Sequence, residues 1–344
     1  MFKENTVFVV GAGASAEFEL PIGAELAKNI SELTDFYFEG RGFSSHLERG
    51  DQLILDVLKL GSNQDNQVYQ DYQDAARKIS KGITAVDSID NFLDIHSDDE
   101  SIKFCGKVAI VRAILEAEEK SDLYYDYIYA NPKMIDFEKS NEAWMKKFFS
   151  QLTRNRPKSD LENIFDKITI ISFNYDRCIE QYIFHALQNV YSIPDIEAFD
   201  LLESLEIYHP YGMVGKLKTN INQSGVPFGT KLQPQELIKA AEDIRTYSEQ
   251  VKDKKSLDKI KDIIEVAEAI IFLGFAYHAQ NIEILRPPQK TRIKSVFGTA
   301  LGFSDPDLEE VRKLVQKFSN KVLKFEIKNK LTCSDLFTEH RLSL

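Results

Sequence analysis

The first thirty residues restrict the fold of this chain more than any other segment. Residues 7–10 form a short apolar run typical of a buried strand, and the sequence GAGAS (residues 11–15) follows directly. Glycines allow a tight turn and close approach of the backbone, and the helix predicted next would present unpaired N–H groups to an anion. The segment therefore predicts a strand, turn and helix that hold the phosphates of a nucleotide.

The same turn also fits a simpler interpretation. Gly11, Gly13 and Ala16 form GxGxxA, a permissive version of the dinucleotide fingerprint that also occurs where a strand turns tightly into a helix without a ligand. The full fingerprint requires a second strand with an acidic residue about twenty residues later, whereas residues 26–58 favour helix and loop. An ordinary dehydrogenase is therefore disfavoured, while a phosphate-binding turn is not.

Length and composition limit the kind of protein. A chain of 344 residues suggests about two domains, or one domain with a large insertion. Its 43% hydrophobic and 28% charged residues are ordinary for a globular protein, and no apolar run approaches the length of a membrane span. The start MFKENTVFVV lacks the layout of a signal peptide, so we expect a cytoplasmic protein without membrane contact.

Charge and cysteine content argue against two further classes. The net charge of −11 disfavours a broad grip on duplex nucleic acid, which needs clustered lysine and arginine. Cys105, Cys178 and Cys333 are scattered and form no CxxC pair. Neither a zinc ribbon nor a disulfide framework is therefore indicated, and no metal is predicted.

A long segment after the opening unit has helical periodicity. Residues 35–42 favour a loop with aromatic anchors, and apolar residues then recur at three- and four-residue spacing without strand-like alternation. Helices are predicted at residues 47–60, 68–80, 88–96, 102–119 and 142–152, with Asp87 and Ser88 as a cap for the third. We interpret residues 35–159 as a large all-helical insertion.

From residue 167 onward the pattern alternates between strands and helices. Residues 168–173 (ITIISF) are a nearly continuous apolar run, as expected of a parallel strand buried on both faces. Further strands are predicted at 269–273, 294–300 and 321–327, and helices at 177–190, 234–250, 257–268, 279–285 and 307–318. Residues 1–34 and 160–344 therefore predict a Rossmann-like α/β domain with a doubly wound, mostly parallel sheet.

Two polar residues follow the strand predicted at 168–173. Asn174 and Asp176 belong to the sequence SFNYD, and ligands of open α/β sheets bind outside the carboxyl ends of the strands. We therefore expect both side chains in the same crevice as the glycine turn. Asn174 offers a donor and an acceptor to a ligand, whereas Asp176 is as well suited to capping the next helix.

His209 and Gly274 follow two further strand-like runs. His209 ends the run in IYHPYG and is a candidate general base, although a lone histidine is more often a structural residue. Gly274 comes after the strand at 269–273 and opens another helix, where the backbone can again approach a ligand closely. The other five histidines have no comparable setting.

The motifs GAGAS, FNYD, HPYG and FLGFAYHAQN, in this order, resemble the sirtuin family, and more closely the sirtuin-like domains of bacterial anti-phage defence systems. The resemblance covers both ends of the chain and the middle of the sheet, but not the helical insertion. It implies NAD+ as the substrate. The residues that it implies in NAD+ binding are Gly11, Ala12, Gly13, Ala14, Ser15, Pro21, Asp176, Gly274 and Phe275.

The resemblance also implies a catalytic pair. Asn174 would orient the ribose or the attacking water, and His209 would accept a proton from a ribose hydroxyl or from that water. Asp176 would hold the carboxamide of the leaving nicotinamide. The family's histidine commonly stands directly before the glycine, where this chain has Tyr211, so His209 and Tyr211 both remain candidates for the base position.

Departures from the sirtuin pattern limit the activities that it implies. Protein-deacylating sirtuins carry a zinc ribbon of two cysteine pairs, and the scattered cysteines of this chain argue against a deacylase. The run of proline, aspartate, phenylalanine and arginine that usually follows the sirtuin turn is replaced by LPIG (residues 20–23), which keeps only the proline.

The implied reaction is hydrolysis of the nicotinamide–ribose bond of NAD+, which would deplete NAD+ in abortive anti-phage defence. The alternative is a non-catalytic subunit that binds NAD+ or ADP-ribose and reports its occupancy to a partner. The resemblance also implies a homo-oligomer that assembles with a HerA-family ATPase, which would make any nucleic-acid contact. The insertion would be either an assembly surface or a lid over the crevice.

Overall fold

A six-stranded, wholly parallel sheet lies at the centre of the protein. The structure is a computed structural model that describes residues 2–3, 5–40, 46–125, 135–219, 221–222, 224–289, 291–319 and 322–344. The strands are β1 (Thr6–Val10), β2 (Tyr37–Glu39), β3 (His46–Arg49), β4 (Ile168–Ser172), β5 (Ile207–Tyr208), β6 (Ala269–Leu273), β7 (Ser295–Thr299) and β8 (Lys324–Lys328). The sheet order is β5-β4-β1-β6-β7-β8, and β2 pairs with β3 in a separate antiparallel ribbon.

Strand β1 lies between β4 and β6 and is buried along its whole length. In the register of the sheet, Phe8 stands beside Ile170 of β4 and Ile271 of β6. Phe8 packs in the core on one face, whereas Val7 and Val9 pack in the core on the other. A strand covered on both faces needs an apolar side chain at every position, which explains why TVFVV lacks polar alternation.

Helices cover both faces of the sheet. They are α1 (Ala12–Ser15), α2 (Gly23–Thr34), α3 (Gln52–Gly61), α4 (Asn66–Gly82), α5 (Ile89–Ile95), α6 (Glu100–Lys120), α7 (Trp144–Leu152), α8 (Cys178–Tyr191), α9 (Asp195–Ser204), α10 (Pro234–Glu242), α11 (Tyr247–Lys252), α12 (Lys254–Val266), α13 (Ala279–Leu285), α14 (Asp305–Gln316) and α15 (Cys333–Glu339). Helices α2, α3, α4, α6 and α10 pack together over one face, and α7, α8 and α15 pack over the other.

This architecture confirms the predicted Rossmann-like α/β fold with its doubly wound parallel sheet and helical parts. The apolar runs at 168–173, 269–273 and 294–300 form β4, β6 and β7. The last predicted strand, 321–327, corresponds to β8, and residue 321 lies outside the described residues. Ser88 caps α5 as predicted, because its hydroxyl accepts a hydrogen bond from the Asn91 N–H at 3.1 Å.

Some local predictions are wrong. The loop predicted at 35–42 contains β2. The first residues of the helix predicted at 47–60 belong to β3, because Phe38 and Leu47 pair across the ribbon, and α3 begins only at Gln52. The segment 35–159 is therefore not all-helical. The helix predicted at 234–250 is divided into α10 and α11, because the Thr246 hydroxyl accepts a hydrogen bond from the Glu249 N–H and starts a new helix. Helices α9 and α15 occur where none was predicted.

The segment predicted as an insertion contributes helices to both faces of the sheet. Helices α3, α4 and α6 pack with α2 and α10, whereas α7 packs with α8 and α15 on the opposite side. The division of the chain at 34/35 and 159/160 stays a prediction. None of the helices in the described ranges is both long and apolar enough to cross a membrane.

A fully buried ion pair joins α6 to the start of α8. Glu118 accepts hydrogen bonds from the Arg177 guanidinium, from the Arg177 backbone N–H at 3.2 Å and from the Gly229 N–H at 3.0 Å. Arg177 also donates to the carbonyls of Val226 and Pro227. Both charged side chains have 0% exposure. Burial raises the pKa of Glu118 and the Arg177 charge opposes that rise, so the carboxylate depends on its partner.

We predict that Glu118→Gln lowers the free energy of unfolding by about 3–5 kcal/mol, because it leaves the Arg177 charge buried without a counter-ion. The double variant Glu118→Leu/Arg177→Met should lose less stability than the sum of the losses in Glu118→Leu and Arg177→Met, as neither charge then remains. Urea unfolding of the wild type and of these four variants measures both effects.

The exposed pair of Lys28 and Glu32, 3.8 Å apart with side chains 72% and 67% exposed, is the matched control. Glu32→Gln should change the free energy of unfolding by no more than about 0.5 kcal/mol, because solvent screens such pairs. A Glu118→Gln protein as stable as Glu32→Gln would contradict the structural role of the buried pair.

Candidate functional site

A cavity of about 330 Å³ lies at the carboxyl ends of β1, β4 and β6. Its volume is at the lower end of the range of about 300–1,000 Å³ common for ligand pockets. Residues at the strand ends line one side: Gly11, Ala12, Phe173, Asn174, Tyr175, Asp176, Tyr211 and Phe275. Residues of α2, α5, α6 and α13, and of the segments that enter α2, α5 and α13, complete the wall: Pro21, Gly23, Leu26, Asp87, Ser88, Ile89, Asp90, Asn91, Ile114, Ala276, His278, Ala279, Gln280 and Asn281.

The cavity brings together some of the residues that the sequence predicted for a nucleotide site. Those that line it are Gly11, Ala12, Pro21, Asn174, Asp176 and Phe275. Gly13, Ala14, Ser15, Gly274 and His209 are not among its lining residues. The predicted site is therefore one assembly in space, with about half of its members facing the cavity and the others supporting it.

The glycines of the opening turn are needed for contact between two backbone segments. The Gly13 N–H donates a hydrogen bond to the Gly274 carbonyl at 3.0 Å, and the Gly11 N–H donates to the Leu273 carbonyl at 2.9 Å. A Cβ on Gly13 would lie 2.9 Å from the Gly274 Cα, and one on Gly274 would lie 2.0 Å from the Ala14 nitrogen. Gly274 also has a φ of +55°, a conformation that favours glycine. The tight-turn interpretation therefore accounts for these glycines without a ligand.

Asn174 is held by the opening turn so that one of its side-chain atoms stays available. Its Nδ2 donates to the Gly11 carbonyl at 3.1 Å and to the Ser15 hydroxyl at 2.9 Å, and the residue is only 6% exposed. These two acceptors fix the orientation of the amide. Within the described residues no donor reaches Oδ1, which leaves an acceptor at the wall of the cavity.

Asp176 lines the cavity and also stabilises the start of α8. Its Oδ1 accepts a hydrogen bond from the Cys178 N–H at 3.0 Å. Burial raises the pKa of Asp176, while the Cys178 amide and the Ser15 hydroxyl act in the opposite direction. The two roles predicted for Asp176, capping and ligand contact, are thus compatible in one geometry.

His209 has an acceptor on each side of its ring. Nδ1 lies 3.0 Å from the Asn174 carbonyl oxygen, and Nε2 lies 3.0 Å from the Oε1 of Glu180. A ring between a carbonyl and a carboxylate satisfies both only when both nitrogens carry protons. Burial alone would lower the pKa of His209, but the hydrogen bond and charge of Glu180, with the Asn174 carbonyl, raise it on balance. This arrangement favours the protonated ring of His209, which contacts the Asn174 backbone.

Two side-chain contacts at the cavity were not predicted from the sequence, although Tyr211 was a candidate for the base position. The Tyr175 hydroxyl donates a hydrogen bond to the Asp90 Oδ1, and the Tyr211 hydroxyl donates to the Asn281 Oδ1 at 2.6 Å. All four residues line the cavity, as does His278. Local sequence gave no signal for these pairs beyond the cap at Ser88, because their members lie 85 and 70 residues apart.

The N-termini of four helices face the cavity and determine its electrostatic character. None of the described residues that line it is a lysine or an arginine. Ala12, Gly23, Ile89 and Ala279 are the first residues of α1, α2, α5 and α13, and each of them lines the cavity. Helix N-termini carry partial positive charge and N–H groups that the helix itself does not use. An anionic ligand would therefore meet backbone groups, while the carboxylates of Asp87, Asp90 and Asp176 form the negative part of the wall.

A separate group of potential metal ligands lies on the β2–β3 ribbon. Glu39, His46 and Glu48 place one ligand atom each within 4.8 Å of the others, and all three side chains are exposed. None of them lines the cavity. Exposed acidic groups of this kind are common without an ion, so the group is not part of the candidate site.

No protein-family model matches the sequence, and a comparison with curated proteins gives no match either. The functional assignment therefore depends on the residues and geometry of the cavity and on the motif resemblance.

We predict that Gly13→Ala and Gly274→Ala each lower the free energy of unfolding by about 1–3 kcal/mol, because the added Cβ meets backbone atoms that cannot move separately. Gly23→Ala is the matched control, as its Cβ would make an ordinary contact of 3.7 Å with the Asp87 carbonyl oxygen. Gly23→Ala should stay within about 1 kcal/mol of the wild type in urea unfolding. Equal losses in all three variants would contradict the backbone contact.

We predict that the pKa of His209 lies above the ordinary value of about 6.5 and falls below it in Glu180→Gln, where burial prevails. NMR titration of the ring, with His209→Gln for assignment, measures this. Because the folded pKa is raised, the stability that the pair contributes is complete below pH of about 6.5 and is lost as the pH rises through the folded pKa. An unchanged titration in Glu180→Gln would disprove the pairing.

Proposed function

We propose that the protein hydrolyses the bond between nicotinamide and ribose in NAD+, giving nicotinamide and ADP-ribose. The observation that carries the proposal is the geometry of Asn174, whose amide is fixed by Gly11 and Ser15 at the meeting point of three strand ends. The ordered strand-end motifs that resemble sirtuins support NAD+ as the substrate.

The reaction depends on positioning and on polar groups placed where charge develops. Cleavage of an N-glycosidic bond passes through an oxocarbenium-like state, so a fixed acceptor beside the ribose is useful. The free Oδ1 of Asn174 would accept a hydrogen bond from a ribose hydroxyl or from the attacking water. Asp176, buried beside it, would hold the carboxamide of the leaving nicotinamide.

The phosphates of NAD+ would be bound by backbone groups. Ala12 and Gly23 line the cavity at the starts of α1 and α2, where unpaired N–H groups and the helix dipole favour an anion. Pro21 and Phe275 would contact the remainder of the nucleotide. Gly13 and Gly274 would contribute indirectly, by keeping the turn in place.

A second candidate function is a nucleotide sensor that binds NAD+ or ADP-ribose without turnover. The engagement of both ring nitrogens of His209 favours it, because the residue that the motif resemblance makes a base has no free nitrogen. Tight NAD+ binding without nicotinamide release in the assembled complex would support the sensor. The two candidates use the same cavity and differ in whether a proton acceptor is present.

The cellular setting is part of the same proposal. We propose a cytoplasmic anti-phage defence protein that forms a homo-oligomer and assembles with a HerA-family ATPase, which would contact nucleic acid. The net charge of −11 is compatible with leaving nucleic-acid contact to a partner. Because α5 forms part of the cavity wall, we propose that the segment 35–159 acts as a lid. The outer surface of this segment is a candidate surface for assembly.

We predict that Asn174→Ala lowers kcat for nicotinamide release by about 100-fold or more, because it removes a preorganised polar group. Ser15→Ala should have a smaller effect in the same direction, since it removes one of the two acceptors that orient the amide. Chromatographic measurement of nicotinamide and ADP-ribose gives the rates.

Asn189→Ala is the matched control, because the Asn189 amide only donates to the His185 carbonyl within α8. It should leave turnover unchanged. Full activity in Asn174→Ala would refute the proposed mechanism. If His209→Ala keeps activity while Tyr211→Phe loses it, the base position inferred from the motif belongs to Tyr211.

A further inference from the structure

Asp90 is a carboxylate of the cavity that none of the strand-end motifs contributes. It is the second residue of α5, directly after Ile89, which is buried in the core, and the Ser88 cap fixes the start of this helix. The Tyr175 hydroxyl donates to its Oδ1. Among the residues that the structure describes, the only further hydrogen bond to this carboxylate comes from the N–H of Asp90 itself, so the carboxylate can still accept from a water or a ligand through Oδ2.

The position of Asp90 is tied to that of Asn174. Tyr175, which holds Asp90, is the residue next to Asn174 in the chain, and all three line the same cavity. A water molecule that Asn174 orients would therefore lie in the cavity that the Asp90 carboxylate also faces. His209, in contrast, directs its ring to Glu180 and to the Asn174 backbone.

The other titratable groups of the cavity are less suited to accept a proton. The Asp176 carboxylate already accepts the Cys178 N–H at the start of α8, and the side chains of Ser15 and Cys178 form further hydrogen bonds with it. Asp87 and His278 are exposed, so solvent competes for their contacts with any ligand. Tyr175 and Tyr211 are hydroxyl donors whose pKa is raised by burial, and they stay protonated. Asp90 alone among these lining residues combines a fixed orientation with a free anionic oxygen.

We infer that Asp90 is the group that accepts the proton of the attacking water, and that His209 with Glu180 is a positioning pair for Asn174. This inference rests on the proposed hydrolysis of NAD+ and names its proton acceptor. It also assigns a chemical role to α5, which belongs to the segment outside the motif resemblance.

The step balances without any further reactant. The bond between ribose C1′ and nicotinamide nitrogen breaks, and its electron pair stays on the nitrogen, which becomes neutral. The water oxygen forms a bond to C1′ and gives one proton to the Asp90 carboxylate. Asp90 then releases this proton to solvent, so the products are nicotinamide, ADP-ribose and one proton. Burial, which raises the pKa of Asp90, makes the carboxylate a stronger base for this transfer.

The test compares Asp90→Asn, Asp90→Ala and Asp56→Asn in the full-length protein. Asp56 is the control, an exposed carboxylate on α3 that accepts a hydrogen bond from the Gln52 amide and lies outside the cavity lining. We expect Asp90→Asn to lower kcat by about 100-fold or more with KM nearly unchanged. Asp56→Asn should match the wild type. Added formate should restore turnover in Asp90→Ala by supplying a carboxylate, and it should not do so in Asn174→Ala.

Two measurements separate this inference from the proposed function and from misfolding. Urea unfolding and ADP-ribose binding by calorimetry should be alike in Asp90→Asn and wild type, since the Asn oxygen can still accept from Tyr175. A wild type that hydrolyses NAD+ together with an Asp90→Asn that keeps more than a tenth of its kcat overturns the inference and leaves the proposed function standing. Lack of formate rescue in Asp90→Ala also overturns it. A wild type that binds NAD+ without releasing nicotinamide overturns both.

Discussion

The contact between the opening turn and the end of β6 is the constraint on which the rest of the cavity depends. Gly11 and Gly13 meet Gly274 at distances that no Cβ would permit, and hydrogen bonds from their N–H groups fasten the turn to residues 273 and 274. Strands β1 and β6 therefore end at the same level, with β4 beside them. Because parallel strands carry their loops at one edge, this single contact brings the segments after all three strands around one space.

The inner strands β1, β4, β6 and β7 could be predicted from sequence because they are buried on both faces and need no partner to be recognised. The runs TVFVV, ITIIS and AIIFL show this burial directly. The β2–β3 ribbon could not be predicted from sequence, since its strands are short and exposed and depend on cross-strand pairs such as Phe38 with Leu47. The break between α10 and α11 depends on the Thr246 cap, a local signal that helical periodicity concealed.

The candidate site also contains some residues that could be predicted from the sequence and others that could not. Gly11, Asn174 and Asp176 were predictable because they follow buried strands, and the edge of a parallel sheet is a known place for ligands. Asp90 was not, because it meets Tyr175 only after the chain has passed through more than eighty residues. The position of His209 was predicted, but its chemistry depends on Glu180, one turn into α8, which only the folded structure places against the ring.

The stretch from Asn174 to Arg177 shows how one short sequence fixes both the chemistry and its surroundings. Asn174 bonds to the opening turn, Tyr175 to Asp90 of α5, Asp176 to the start of its own helix, and Arg177 to Glu118 of α6. Four consecutive residues thus reach four different parts of the fold. Tyr175, next to Asn174, binds Asp90 of α5, and Arg177, three residues after Asn174, binds Glu118 of α6, so the positions of both helices are linked to that of Asn174.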